Sequence, residues 1–214
     1  MKKRIVLWTG LAAAVVVANA ATGWVQLLAG DPKTTPSTVS GPESPVAKRA
    51  ARAEALLQVG IKQGENKEFS GATHSFRQVL DLNVKPASKL AWYNLGVIAQ
   101  HDHRTADARA AYDNALKIDS NFGPALYNKA LLIESSHPDQ AIAILRHIVG
   151  ADPKAATAHL HLGQALAKKG RDEEAEGAFG LAVRADPSLL QHVPDKFRDS
   201  AIPALTATQV GTTE

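Results

Sequence analysis

Residues 90–121 read LAWYNLGVIAQHDHRTADARAAYDNALKIDSN, and two amphipathic patterns stand back to back within them. Trp92, Leu95, Gly96 and Ala99 share one face of a 3.6-residue helix, while Ala108, Ala111, Tyr112, Ala115 and Leu116 share one face of a second. The polar His101-Asp102-His103-Arg104 separates them. Small residues at Gly96 and Ala108 suit a close helix crossing, because a larger side chain there would hold the backbones apart. The stretch predicts one antiparallel helix hairpin.

Such a hairpin cannot bury its apolar face alone, and the chain repeats it. The Gly96 position recurs as Gly60, Ala130 and Gly163, at successive intervals of 36, 34 and 33 residues. The small residue of the second helix recurs as Ala72, Ala108, Ala141 and Ala175, each followed four residues later by Phe76, Tyr112, Leu145 or Phe179. Closing turns are expected at Asn83-Val84-Lys85-Pro86, Asp119-Ser120-Asn121, Asp152-Pro153 and Asp186-Pro187.

Four units in this register resemble the tetratricopeptide repeat (TPR) family, whose pattern is W-x2-L-G … A-x3-[FY] … P. The second unit carries Trp92, Leu95, Gly96, Ala108, Tyr112 and Ala115; the fourth carries Leu162, Gly163, Leu166, Ala175, Phe179, Ala182 and Pro187. In the first, Leu56 replaces the Trp and two extra residues around Pro86 and Ala87 lengthen the closing turn. The third has Leu126 and Ala130 at the Trp and Gly positions, and one residue fewer across His137-Pro138. The resemblance implies an all-α right-handed superhelix of about four hairpins, with repeats at about 53–86, 89–122, 123–155 and 156–189 inside a domain spanning 46–189.

It also implies a site. In TPR proteins the first helices of successive hairpins line a concave groove that takes a partner's peptide or helix. Carried onto this chain, the lining includes Leu57, Ile61, Tyr93, Val97, Gln100, Tyr127, Leu131, Glu134, Leu160, Gln164 and Lys168. Asn94 and Asn128 stand where the family often has an asparagine that bonds a bound peptide's backbone. The basic clamp by which some members hold a C-terminal carboxylate is absent, since Leu57 and Ile61 occupy two of its places.

Composition agrees with a helical scaffold: 45% hydrophobic residues, only 5% aromatic, and a net charge of +3. Part of that charge is Lys2, Lys3 and Arg4, so the body is near neutral and no nucleic-acid footprint is expected. With no cysteine, disulfides, thiolate metal sites and a cysteine nucleophile are excluded.

Residues 5–30, IVLWTGLAAAVVVANAATGWVQLLAG, carry no charge and are long enough for a membrane-spanning helix, with Trp8 and Trp24 near the two ends. Residues 1–30 are therefore expected to be an N-terminal signal-anchor, a transmembrane helix with its basic end cytoplasmic and the TPR domain extracytoplasmic. The rival reading is a secretory signal cleaved after Ala18-Asn19-Ala20. Residues 31–45, rich in Pro, Ser and Thr, are expected to be a disordered linker. Helical pattern resumes at residue 46, and the first helix should begin upstream of Ala53. Residues 190–214 are expected to form a short cap, with Leu189, Leu190, Val193 and Phe197 as covering side chains, and a tail disordered from Asp199 onward.

Chemistry is hard to find. The eight histidines include no H-E-x-x-H, and His159 and His161, two apart on a helix, should face different ways. His101 and His103 at a helix end leave room for a weak pH response. Asp172, Glu173, Glu174 and Glu176 read as a solvated run complementing a helix dipole, and Trp92 and Tyr112 as core packing. No enzyme, metal or cofactor is expected. The expected function is a membrane-tethered protein-interaction scaffold, the alternative a homo-oligomeric scaffold of the cell envelope.

Overall fold

Residues 44–202 are described by the computed structural model. Among them every regular element is helical, as expected, and no strand occurs. The expected anchor and most of the linker and tail lie outside the described residues. No helix among those described is long and apolar enough to cross a membrane. The chain divides into two compact units, one ending at Arg104 and the other beginning at Thr105.

The first unit contains α1 (Pro45–Glu65), α2 (Phe69–Asp81) and α3 (Lys85–His101). Pro45 opens α1 at a position where its missing N–H costs nothing, and the Ser44 hydroxyl accepts from the Ala47 amide at 3.2 Å. The buried stripe of α1 is Ala53, Leu57, Gly60, Ile61 and Gly64. Leu57 and Ile61 join Ala72, Phe76, Val79, Ala87, Ala91 and Ile98 in one apolar cluster. Gly60 is required by the Phe76 ring, which would stand 2.6 Å from a β-carbon placed there.

The second unit contains α4 (Thr105–Ile118), α5 (Gly123–Ile133), α6 (Pro138–Ala151), α7 (Ala156–Lys168), α8 (Asp172–Ala185), a 3-10 turn (Pro187–His192) and α9 (Asp195–Ala201). Phe179, Leu145, Leu166 and Val183 form the centre of its core. Val193, Phe197 and Ala201, together with Leu189, cover the outer side of the last hairpin, and the Phe197 and Phe179 ring centroids are 5.2 Å apart. The cap is therefore built from the expected side chains. It also runs further than expected: α9 reaches Ala201, which is fully buried, so the expectation of disorder from Asp199 is corrected for residues 199–201.

Two backbone devices recur. At three helix ends the chain stops with a residue in the left-handed region: Lys67 (φ 63°), His103 (φ 58°) and Gly170 (φ 71°). In each case the next amide reaches back five residues, Glu68 to the Gln63 carbonyl, Arg104 to Ala99 and Arg171 to Leu166, at 2.8, 2.8 and 3.0 Å. This bond satisfies a carbonyl that the ending helix leaves open. The turn after α5 lacks it; His137 N–H instead donates to the Ile133 carbonyl at 2.7 Å, and Pro138 starts α6 at once. That accounts for the residue missing from the third unit.

The second device closes the repeats. Asp119, Asp152 and Asp186 each accept, through Oδ1, the amide two residues on: Asn121 at 3.1 Å, Lys154 at 3.0 Å and Ser188 at 3.0 Å. Such Asx turns reverse the chain without a glycine. The first repeat closes differently, on Asn83 with φ 50°. Lys85, Pro86 and Ala87 lie in the first turn of α3, so the two extra residues lengthen a helix and not, as expected, a turn.

Candidate functional site

The groove residues inferred from the TPR resemblance divide by burial. In the first unit Leu57, Ile61, Tyr93, Asn94 and Val97 are all buried, at 9% exposure or less. Leu57 and Ile61 are held within the α1–α3 cluster. Asn94 donates its amide to the Leu90 carbonyl at 2.9 Å, one turn back on its own helix.

In the second unit Tyr127, Asn128, Leu131 and Gln164 are half-buried, and Leu160 is buried. Tyr127, Leu131 and Glu134 sit three and four residues apart, so they share a face of α5 or its C-terminal end. By the same spacing Thr157, His161, Gln164 and Lys168 share a face of α7. The two stripes meet through side chains. The Tyr127 and His161 rings approach edge to face, with centroids 5.7 Å apart and planes at 72°. Lys168 bonds Glu134 one turn further along. The Gln164 amide reaches the His192 carbonyl at 3.5 Å, tying the stripe to the turn below the cap. Asn128 is engaged internally, donating to the Tyr112 hydroxyl at 3.4 Å.

The stripe's electrostatics follow from its partial enclosure. Burial lowers the His161 imidazole below its ordinary range; Glu134 opposes the shift, Lys168 adds to it, and the neighbouring Gln164 side chain opposes it. Burial pushes the Tyr127 phenol upward, with the Thr157 hydroxyl beside it offsetting part of the effect. Tyr127 Oη and His161 Nδ1 are shielded and have no partner in hydrogen-bond geometry. The wall is thus neutral and apolar at its centre, with an ion pair at one end.

His161 was not among the expected groove residues. The signal is its spacing with Gln164 and Lys168, which by itself does not set it apart from an ordinary packed histidine. His159 does read that way: it is 4% exposed and its Nε2 donates to the Pro153 carbonyl at 3.1 Å. The two histidines face different surroundings, as their spacing requires.

Elsewhere the ionisable groups are structural. Glu174 takes the Arg171 guanidinium through two bonds of 2.6 and 2.9 Å and also pairs with Arg146. The Arg171 bond is foremost in holding its carboxyl below the usual range. Asp102 is likewise lowered, first by its hydrogen bond with His101 and then by Arg104. Among the described residues no three His, Asp or Glu side chains cluster so as to hold a metal ion.

The tetratricopeptide repeat family model matches residues 62–121 and 131–189, more than half of the chain. The chain belongs to the tetratricopeptide repeat family. Among TPR relatives, the Photosystem I assembly protein Ycf3 of Synechococcus elongatus is 30% identical over 146 residues, which cover 62% of this chain and 83% of that protein. The solved structure of MamA from Desulfovibrio magneticus, residues 41 to the end, superposes with a TM-score of 0.60 at 19% identity, covering 76% of this chain and 98% of that one. YrrB, described as a TPR protein with an unusual peptide-binding site, superposes with a TM-score of 0.59 at 18% identity, covering 76% and 90%. These two likenesses show the TPR fold.

Proposed function

We propose that this protein is a non-enzymatic TPR scaffold that takes a segment of a protein partner against the α5–α7 stripe. The observation that carries the reading is the stripe itself. Tyr127, Leu131 and Gln164 remain partly open on first helices of successive hairpins, and the Tyr127–His161 contact and the Lys168–Glu134 pair hold the facing side chains in place. A half-buried aromatic in an ordered wall is the kind of residue that anchors an interface. The kinship with an assembly protein and with a peptide-binding TPR protein supports the same reading. In the first unit the buried candidates have little area to offer, so the second unit supplies most of the contact.

We further infer that residues 5–29 hold the protein on a membrane, N-terminus in the cytoplasm and domain outside. Three basic residues precede the uncharged run, which favours that orientation.

A photo-crosslinking amino acid at Leu131, incorporated into the full chain in cells, tests the groove against the same probe at exposed Ala143 on α6. A discrete protein adduct at 131 and none at 143 is expected. Equal labelling at both positions, or none at 131, overturns it. Protease added to intact spheroplasts tests the orientation: the domain should be degraded, and its protection refutes the topology. A soluble product beginning at Ala21 would keep the orientation and replace the anchor with a cleaved signal.

A further inference from the structure

The inner stripe of α1 is buried, but the helix turns a very different face outward. At 100° per residue, Lys48, Arg52, Ala55, Val59 and Lys62 fall within a sector about 80° wide, opposite Leu57 and Gly64. All five are exposed, Val59 to 49%. Arg49 lies off this sector on one side, and Glu54 and Glu65 lie off it on the other. From Lys48 to Lys62 the strip is about 21 Å long at the helical rise.

Ordinary solvation explains this face poorly. Lys48, Arg49 and Arg52 crowd the N-terminal half of a helix that has no acidic residue in its first turn. The helix dipole disfavours a cation at Lys48 in the first turn, and Arg52 and Lys62 continue the same strip with no acidic residue on it, so the arrangement runs against local electrostatics. A departure of that kind without local compensation marks a site with another use. An exposed valine between cations adds the second half of an interfacial pattern: apolar surface for the headgroup boundary, and long basic side chains that reach to phosphates.

We propose that this outer face of α1 docks on the anionic headgroups of a lipid bilayer. The proposal rests on the reading of residues 5–29 as membrane-embedded, and chain length makes it practicable. Only the 14 residues 31–44 separate the apolar run from α1. Their fully extended reach of ~50 Å is the farthest that α1 can stand from that run. Tethered that closely, the basic strip meets the membrane surface at high effective concentration. Docking would fix the first unit against the bilayer.

The absence of native cysteine permits a direct test on the full chain. Ala55→Cys, labelled with a fluorophore, is reconstituted into vesicles of phosphatidylcholine alone or with about one third phosphatidylglycerol, each carrying a headgroup quencher. Expected is strong quenching only with phosphatidylglycerol, reversed by high salt. It should be lost in Lys48→Glu/Arg52→Glu/Lys62→Glu, in which removal of three cations alone implies at least about a hundredfold fall in the docked-to-free ratio, and three added anions deepen it. Circular dichroism of that exposed-residue variant checks that it is folded. Equal quenching in both lipids, or quenching that survives charge reversal, overturns the proposal. A cysteine-directed crosslink from position 55 to a protein, without lipid-dependent quenching, overturns it in favour of an acidic protein partner. Co-flotation with neutral vesicles is scored separately. Its loss defeats the membrane reading and the proposal together, whereas its retention without lipid-dependent quenching defeats the proposal alone.

Discussion

The ring of Phe179 lies so close over Gly163 that a β-carbon there would stand 2.6 Å from Cε1 and 2.7 Å from Cδ1. Phe179 is fully buried and has little room to retreat. Gly163→Ala should therefore destabilise the second unit by ~1–3 kcal/mol through overpacking, partly offset by the roughly 1 kcal/mol that alanine gains in a helix. Gly177→Ala, on an open part of α8 with nothing within 4 Å, has no such clash and should stabilise by about 0.5–1 kcal/mol. Urea midpoints of the two variants should move in opposite directions, and a shared direction would show that the contact is not tight.

Left-handed helix ends give a second pair. His103 and Lys67 adopt φ 58° and 63°, a conformation that costs a side-chain-bearing residue about 1–2 kcal/mol, whereas Gly170 takes φ 71° freely. His103→Gly should raise stability by up to about 1 kcal/mol after the extra flexibility of the unfolded chain is subtracted. Gly170→Ala should lower it by ~1 kcal/mol. Thermal midpoints suffice to read both.

The imidazole of His161 couples stability to pH. Burial, the largest cause, holds its folded-state pKa below the unfolded value, so the unfolded chain binds the proton first. The contribution is fully present above about pH 6.5 and is lost as the pH falls from there toward the depressed folded value. Urea midpoints should decline between pH 7.5 and 5.5, and His161→Phe should remove much of that decline. An unchanged slope in the variant would assign the effect to other groups. Asp102 and Glu174 also lose their contributions in acid, but only as the pH drops through the carboxylate range, because both are lowered.

At the cap, two contacts of different character can be compared. Phe197 is 3% exposed against Phe179, so Phe197→Ala should cost ~3–5 kcal/mol and expose the last hairpin. Lys196 pairs with Asp172 in solvent, and Lys196→Ala should cost less than about 1 kcal/mol. Denaturant titration, with light scattering to follow association of the uncovered face, measures both.

The features legible in the sequence are those set by packing at fixed spacing. Gly60 with Phe76 and Gly163 with Phe179 announce the hairpins because a ring and a missing side chain must meet at each crossing. Asp119, Asp152 and Asp186 mark the turns because a short carboxylate can hold the amide two residues on. Backbone conformations taken by residues that do not advertise them were illegible. Nothing about lysine or histidine foretells a left-handed end at Lys67 or His103, and Pro86 suits the first turn of a helix as well as it suits a loop. Groove assignments suffered from a different limit. Repeat position places Leu57 and Tyr127 alike, yet one is sealed in a core and the other partly open, because burial depends on which neighbours are present. His161 needed the facing helix before its role could be seen.

The cap also bears on how the array can change length. Phe197, Val193 and Ala201 occupy the surface on which another hairpin would have to stack, and they are wired to α8 through Phe179 and Asp172. A unit appended after Pro187 would have to displace a docked helix. One duplicated internally, between the Asp119 and Asp152 turns, would begin and end on the same Asx geometry and leave the cap where it is. Gain or loss of units in descendants of this gene should therefore occur by internal duplication or deletion within the array, with the hairpin that carries the cover inherited with it as one piece.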